Sequence, residues 1–194
     1  IATTSGDKSV KLWNAHTGDP VAAFNGHTAS TWSPAFRPGG KHLATMGSDG
    51  AVRIWSLTDR TQVRLYEKLG NGMGAVAWSP DGGLLVASTW TFVQGAGVKG
   101  WLHVWDYEKN VLLWKSDFGI KPIVTLSFHP DGRQFAAGTW DGWIGVFPLD
   151  ANGKPAAEHK LAPVKGSYPA VQAVAYSPDG KTLAVATKDN LIRL

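Results

Sequence analysis

The 194-residue sequence contains no cysteine, which excludes disulfide bonds, thiolate metal ligands and cysteine nucleophiles together. It also lacks any apolar run near the roughly 20 residues that a membrane-spanning helix needs. Residues 1–4 do not have the basic and apolar regions of a secretory signal peptide. We therefore expect no membrane association and favour an intracellular location, cytoplasmic or nuclear, although the lack of cysteine does not fix the compartment.

Charge is sparse as well, because only 18% of the residues are Asp, Glu, Lys or Arg, and the net charge is +4. The basic residues are spread from Lys8 to Arg193 without forming a cluster. A nucleic-acid site needs a basic stripe interleaved with aromatic residues. We therefore do not expect direct nucleic-acid binding, and a nucleic-acid-associated subunit is kept only as an alternative.

Glycine and tryptophan are plentiful, with 23 and 10 residues respectively. Many turns combined with many large aromatic side chains favour short strands around an aromatic core. Four segments then repeat a turn followed by a strand: F-R-P-G-G-K-H-L-A from Phe36, W-S-P-D-G-G-L-L-V from Trp78, F-H-P-D-G-R-Q-F-A from Phe128 and Y-S-P-D-G-K-T-L-A from Tyr176. Their prolines, at 38, 80, 130 and 178, are 42, 50 and 48 residues apart.

A second repeated unit places an aspartate six residues before a closing aromatic residue. The pairs are Asp7 with Trp13, Asp49 with Trp55, and Asp141 with Phe147. Pro-Asp-Gly and Asp-Gly are tight-turn sequences, and the runs around them are β-rich and four to six residues long. Four strands in each repeat of 40 to 50 residues predict the blades of a β-propeller.

These features resemble the WD-repeat family. The resemblance rests on Gly26-His27, followed 28 residues later by Trp55, on the S-P-D-G turns and on the spaced aspartates, and it covers essentially the whole chain. It implies an all-β fold of four-stranded antiparallel blades. It also implies a structural tetrad, with no catalytic role, in which hydrogen bonds join four side chains and pin one blade: His27, Thr45, Asp49 and Trp55.

The repeats divide a single propeller domain into about four blades. We expect a partial blade at 1–24, blades at 25–66, 67–115 and 116–165, and a partial blade at 166–194. Because WD-repeat propellers usually have seven blades, this indicates an incomplete arc of a larger ring. The remaining blades would come from the parent chain or from another chain.

One blade carries an insertion at 92–99, since its turn proline and closing aromatic residue are 25 residues apart instead of 17. Glycines at 95, 97 and 100 predict a mobile loop. Insertions on a rigid scaffold often carry function.

No enzyme motif is present, and we expect no catalytic residue, metal site or cofactor. The six histidines lack metal-ligand spacing, and Asp81, Asp131 and Asp179 are predicted to be turn residues. G-N-G-M-G-A at 70–75 matches a dinucleotide fingerprint but leads into a strand instead of a helix. The segment 104–114 is faintly similar to repeats of quinone-cofactor propellers, so a cofactor-binding or enzymatic propeller is a minor alternative.

Equivalent tryptophans suggest a binding surface. Trp90 and Trp140 each lie ten residues after a turn proline, and Trp101 and Trp143 each lie four residues before a closing position. The family fold implies that these positions, and the neighbouring Phe92, flank the top face of the propeller, where partners usually dock. The competing interpretation is that these tryptophans pack between blades. We expect a non-enzymatic scaffold that binds a protein or peptide through this face, within a multi-subunit complex.

Overall fold

The computed structural model describes residues 1–70, 72–95, 97–119, 122–156 and 169–194. Within these ranges the regular elements are β-strands, and they form five antiparallel sheets that follow one another along the chain. Because none of the described residues forms a helix, none of them contributes a helical membrane span. The predicted all-β class is confirmed.

Each sheet is built from one continuous stretch of sequence. Sheet 1 contains β1 (Ala2–Thr4), β2 (Val10–Trp13) and β3 (Pro20–Phe24). Sheet 2 contains β4 (Thr31–Phe36), β5 (His42–Gly47), β6 (Ala51–Ser56) and β7 (Gln62–Tyr66). Sheet 3 contains β8 (Val76–Trp78), β9 (Leu84–Val93), β10 (Gly97–Asp106) and β11 (Val111–Asp117). Sheet 4 contains β12 (Ile123–Phe128), β13 (Gln134–Thr139) and β14 (Ile144–Pro148), and sheet 5 contains β15 (Val171–Tyr176), β16 (Leu183–Thr187) and β17 (Ile192–Arg193).

The repeated Pro-Asp-Gly sequences form the turns between the first and second strands of sheets 3, 4 and 5. In the first of these turns, Asp81 Oδ1 accepts hydrogen bonds from the Ser79 hydroxyl at 2.5 Å and the Gly83 N–H at 2.9 Å. Gly82 has a φ of +73°, a left-handed conformation that glycine adopts without steric cost. This turn chemistry fixes the register of the strands that follow.

The second and third strands pair in the same register in three successive sheets. Leu43 lies opposite Trp55, Leu85 opposite Trp105, and Phe135 opposite Phe147. The closing aromatic residues of the sequence repeat therefore occupy one equivalent position in each sheet.

The hydrophobic core consists of four layers, one between each pair of neighbouring sheets. Phe24 of sheet 1 packs against Trp55 of sheet 2, with ring centres 5.3 Å apart. Sheets 2 and 3 share a cluster that includes Ile54 and Trp105, whereas Val104, on the opposite face of sheet 3, packs with the next sheet. A fourth cluster joins sheets 4 and 5. Sheets stacked face to face in chain order are the arrangement of propeller blades.

Sheets 2 and 3 are also joined at the edge that carries the Pro-Asp-Gly turns. The Tyr107 ring lies between two guanidinium groups, 4.4 Å from Arg37 and 4.1 Å from Arg64. Arg37 also donates to the carbonyl of Gly82 at 2.9 Å and pairs with Glu108. We call this group the Tyr107 clamp.

The insertion at 92–99 lengthens a hairpin instead of forming the expected mobile loop. Strand β9 continues to Val93 and β10 starts at Gly97, with Phe92 opposite Val98. The physical reason is that residues 89–93 and 97–101 are rich in β-branched and aromatic side chains, which favour pairing over a loop.

Each predicted blade segment contains one sheet, although β11 runs two residues past the boundary at 115. We keep those blade boundaries as a proposal.

Candidate functional site: a cleft where four sheets meet

The first strands of sheets 2 to 5 lie side by side and contact one another. Their ends line a cleft of about 480 Å³, which we call the channel cleft. One equivalent position from each sheet, six residues before the turn proline, faces it: Trp32, Gly74, Val124 and Gln172. Met73, Trp140 and Val171 add further apolar side chains to the lining. This volume falls within the range of ordinary ligand pockets.

Two tryptophans of the channel cleft are exposed. Trp32 is 37% exposed and Trp140 is 44% exposed. The Trp32 indole N–H donates to Ser48 Oγ at 2.8 Å, and the Trp140 backbone N–H donates to the carbonyl of Pro122 at 3.2 Å. The two side chains are therefore presented to solvent from positions that hydrogen bonds hold in place.

Trp90 is half-buried and belongs to strand β9 of the extended hairpin. A Cβ atom at Gly72 would overlap its ring, so the glycine allows the indole to pack against the 70–74 segment. Its indole N–H is shielded from solvent and meets no acceptor among the described residues. Phe92, two residues further along the same face of β9, is 65% exposed. The hairpin thus combines one packed and one exposed aromatic side chain.

Trp101 and Trp143 lie apart from the channel cleft. The Lys115 ammonium lies 4.4 Å from the centre of the half-buried Trp101 ring. The half-buried Trp143 ring packs 6.0 Å from Phe118 and 6.1 Å from Phe147, and covers Gly145. The five aromatic residues singled out from the sequence therefore do not form one site. Trp32 and Met73 were missed. Trp32 lies six residues before its turn proline, as Gly74, Val124 and Gln172 do, whereas Met73 lies seven residues before Pro80.

The structure brings His27, Thr45, Asp49 and Trp55 together in one hydrogen-bonded chain. His27 Nδ1 lies 3.1 Å from both Asp49 carboxylate oxygens, and Nε2 lies 2.9 Å from Thr45 Oγ1. The Trp55 indole N–H donates to the same Thr45 oxygen at 2.8 Å. Since a carboxylate only accepts, Nδ1 carries the proton, and Nε2 accepts from the Thr45 hydroxyl.

Burial lowers the pKa of His27, so the ring is neutral at pH 7. Burial alone would raise the pKa of Asp49, but hydrogen bonds from the Thr28 N–H and His27 hold it below its ordinary value.

A hydroxyl, an imidazole and a carboxylate in this order have the geometry of a nucleophilic triad. Thr45 is completely buried, however, so no substrate can reach its oxygen. The arrangement joins strands and offers no accessible nucleophile.

The turn aspartates are likewise held by their own turns. A hydrogen bond from the Ser79 hydroxyl lowers the pKa of Asp81, and one from the Ser177 hydroxyl lowers that of Asp179. For Asp131 the main cause of a lowered pKa is the Arg133 N–H. No group of three or more potential metal ligands occurs in the described part of the chain.

The described glycines of the 70–75 motif pack against β9 and do not precede a helix. A Cβ at Gly70 would crowd Thr89, and one at Gly74 would overlap the carbonyl of Ser88. Asn71 lies outside the described residues. The described part of this motif therefore provides no helix N-terminus at which a pyrophosphate could bind.

A second cleft, of about 600 Å³, lies among the turns at the edge that carries the Tyr107 clamp. Among the described residues, its lining contains several charged side chains and no aromatic one. The lining carboxylates have partners nearby: Asp106 pairs with Lys109, and Glu108 with Arg37. The channel cleft is therefore the better candidate for an apolar anchor.

Comparison with known proteins identifies similar sequences. The family described as "WD domain, G-beta repeat" matches residues 18–56, 118–147 and 159–194, more than half of the chain. The WD repeat and HMG-box DNA-binding protein 1 of Xenopus laevis is 32% identical over 154 residues, which are 74% of this chain and 13% of that protein. The WD repeat-containing protein SL1-17 of Schistosoma mansoni is 28% identical over 148 residues, 76% of this chain and 46% of that protein. The small ribosomal subunit protein RACK1y of Oryza sativa subsp. japonica is 29% identical over 155 residues, 79% of this chain and 45% of that protein. The chain thus spans less than half the length of each of these relatives.

Proposed function

The chain belongs to the WD-repeat family, whose members generally support protein interaction, and on that premise we propose that it is a non-enzymatic scaffold whose channel cleft binds a protein or peptide partner. The observation that carries this proposal is the pair of exposed tryptophans, Trp32 and Trp140, in one cleft. Large aromatic side chains exposed to water are costly, and they are enriched among residues that dominate binding energy.

The neighbouring hairpin extends the proposed binding surface. We assign Trp140 and Trp32 as anchors, Phe92 as an additional contact, and Trp90 as the residue that supports the hairpin. We assign Trp101 and Trp143 to packing. The Lys115 ammonium lies over the Trp101 ring, and the Trp143 ring packs against two phenylalanines. A surface of this size suits a peptide or a loop of a partner within a larger complex.

The names of the relatives do not decide the partner. The DNA-binding and ribosomal descriptions belong to proteins of which this chain covers 13% and 45%. Trp and Met side chains line the cleft, and its described lining residues are uncharged, so it fits an apolar side chain better than a phosphate.

The test compares the unmodified chain with the double variant Trp32→Ala and Trp140→Ala in affinity capture from the source cells, followed by mass spectrometry. We expect one or a few proteins to be lost with the double variant. The matched control is Leu112→Ala, which changes a side chain of similar exposure, 46%, on the outer strand β11. Equal capture by both variants, with both still folded by circular dichroism, would reject the channel cleft as the binding site.

A further inference from the structure

A lysine lies beside Trp140, one of the two tryptophans that line the channel cleft. Ser48, Trp90, Trp140 and Lys188 occupy one equivalent position, ten residues after the turn proline, in sheets 2 to 5. The exposed Lys188 reaches back to the preceding sheet, and its ammonium lies 5.5 Å from the centre of the Trp140 ring. A positive charge thus lies next to a ring that lines an apolar cleft.

Lys188 forms no ion pair with a carboxylate in the described part of the chain. The aspartates at the neighbouring position, one residue later, already have partners of their own. Asp49 binds His27, and Asp141 accepts from the Thr139 hydroxyl. Asp189 accepts from the Thr187 hydroxyl at 2.5 Å and from Arg193 at 2.6 Å. The charge of Lys188 is therefore open to a partner, whereas these acidic charges are occupied.

We propose that the channel cleft recognises a segment in which a bulky apolar side chain stands next to aspartate or glutamate. The apolar side chain enters the cleft between Trp32 and Trp140, and the carboxylate binds Lys188. This inference rests on the proposed function and specifies the chemistry of its partner. The net charge of +4 acts in the same direction, because it attracts an acidic partner at long range.

A cationic ligand fits this cleft less well. Trp faces attract ammonium groups, but Lys188 already lies over the Trp140 ring and repels a second cation. The described residues of the cleft lining include no carboxylate that would offset that repulsion. A nucleic acid fits less well too, because strong binding needs several phosphate contacts and one lysine supplies a single contact.

The first experiment is a selection from a random twelve-residue peptide library displayed on phage, with the chain as bait. We expect the enriched peptides to carry Phe, Leu, Met or Trp within two residues of Asp or Glu. Enrichment of Lys- or Arg-rich peptides, or of apolar peptides without acidic residues, would overturn the proposal. A single-stranded oligonucleotide that binds more tightly than the best peptide would overturn it as well.

The second experiment measures the affinity of one enriched peptide and of its copy with every Glu replaced by Gln and every Asp by Asn, by fluorescence anisotropy. We expect the acidic peptide to lose about threefold to tenfold in affinity on Lys188→Glu, while the neutral copy changes by less than about twofold. Lys181→Glu, at an exposed turn of the same sheet, is the matched control with the same change in net charge. Equal losses for Lys188→Glu and Lys181→Glu would show a general charge effect and reject the specific contact.

The outcomes separate this inference from the proposed function. If Trp140→Ala abolishes binding of selected peptides but Lys188→Glu does not affect the acidic ones, the cleft binds peptides and only the carboxylate contact is wrong. If the library yields no peptide that depends on Trp140, both proposals fail.

Discussion

At the scale of single residues, the buried histidines determine how stability responds to pH. His103 on β10 is 1% exposed and stacks on Trp105 with ring centres 5.3 Å apart. Burial, with a smaller contribution from the Lys115 ammonium, lowers the pKa of His103 to about 4. Burial also lowers the pKa values of His27 and His42. The folded protein thus keeps these rings neutral at a pH where the unfolded chain takes up protons.

This difference predicts a loss of stability as the pH falls below about 6.5, the ordinary value for histidine. Between pH 7 and pH 5 the contribution of His103 alone is about 2 kcal/mol, since each pH unit between the two pKa values costs about 1.4 kcal/mol. Urea denaturation at both pH values should show this loss, and His103→Leu should reduce it. The exposed His16→Leu is the control and should leave the pH dependence unchanged. An unchanged dependence in His103→Leu would mean that this ring is not the source.

Thr45 is the residue on which the hydrogen-bonded chain of sheet 2 converges. Thr45→Val keeps the shape of the side chain but leaves the Trp55 N–H without an acceptor and His27 Nε2 without a donor. We expect the free energy of unfolding to fall by about 2–4 kcal/mol, because two buried polar groups lose their partner. Thr58→Val, at an exposed turn, should change it by less than about 0.5 kcal/mol. Similar melting curves for the two variants would argue against a stabilising role of this chain.

At the scale of elements, the extended hairpin of sheet 3 can be separated from the fold. Residues 91–95 and 97–99 extend beyond the paired part of β8 and β11, and Phe92 is largely exposed. Replacing 91–99 by Asn-Gly should close the hairpin with a tight turn and change the free energy of unfolding by less than about 1 kcal/mol. If the hairpin contributes to the proposed binding surface, the same replacement weakens capture of the partner. Global unfolding of the shortened chain would show instead that the extension is part of the core.

The sequence predicted the sheets more fully than the lining of the channel cleft. The Pro-Asp-Gly turns and the closing aromatic residues are local signals that repeat, so they predicted the sheets and their class. Trp32 and Met73 are not part of a repeated residue pattern. That both line one cleft becomes visible only in the structure, where the first strands of four sheets meet. The insertion was expected to be mobile because of its glycines, yet the β-branched and aromatic residues before them, at 91–93, pair with residues 97–99 across the hairpin.

At the scale of the whole molecule, stability resides in the layers between neighbouring sheets. In such a linear stack each sheet depends on the sheets beside it, and breaking one interface can uncouple the two parts. Tyr107→Leu removes the ring between Arg37 and Arg64 and the edge-to-face contact with Trp78 at 4.8 Å. We expect a loss of about 2–4 kcal/mol and a broader urea transition, with tryptophan fluorescence and circular dichroism no longer coincident.

The control for this variant is Glu108→Gln, which removes only an exposed partner of Arg37. It should cost less than about 1 kcal/mol and leave the transition sharp. A sharp, single transition in Tyr107→Leu would indicate that the clamp adds stability without coupling the sheets.

Because the described strands of each sheet are consecutive in the sequence, the order of the sheets is also the order of their synthesis. At about 5–20 residues per second, a ribosome releases the 36 residues from Thr31 to Tyr66 within a few seconds. Sheet 2 can therefore pair its strands before sheet 3 has been translated. Until then, the face that carries Ile54 lacks its cover, so a nascent chain paused between these sheets presents an apolar surface that chaperones recognise.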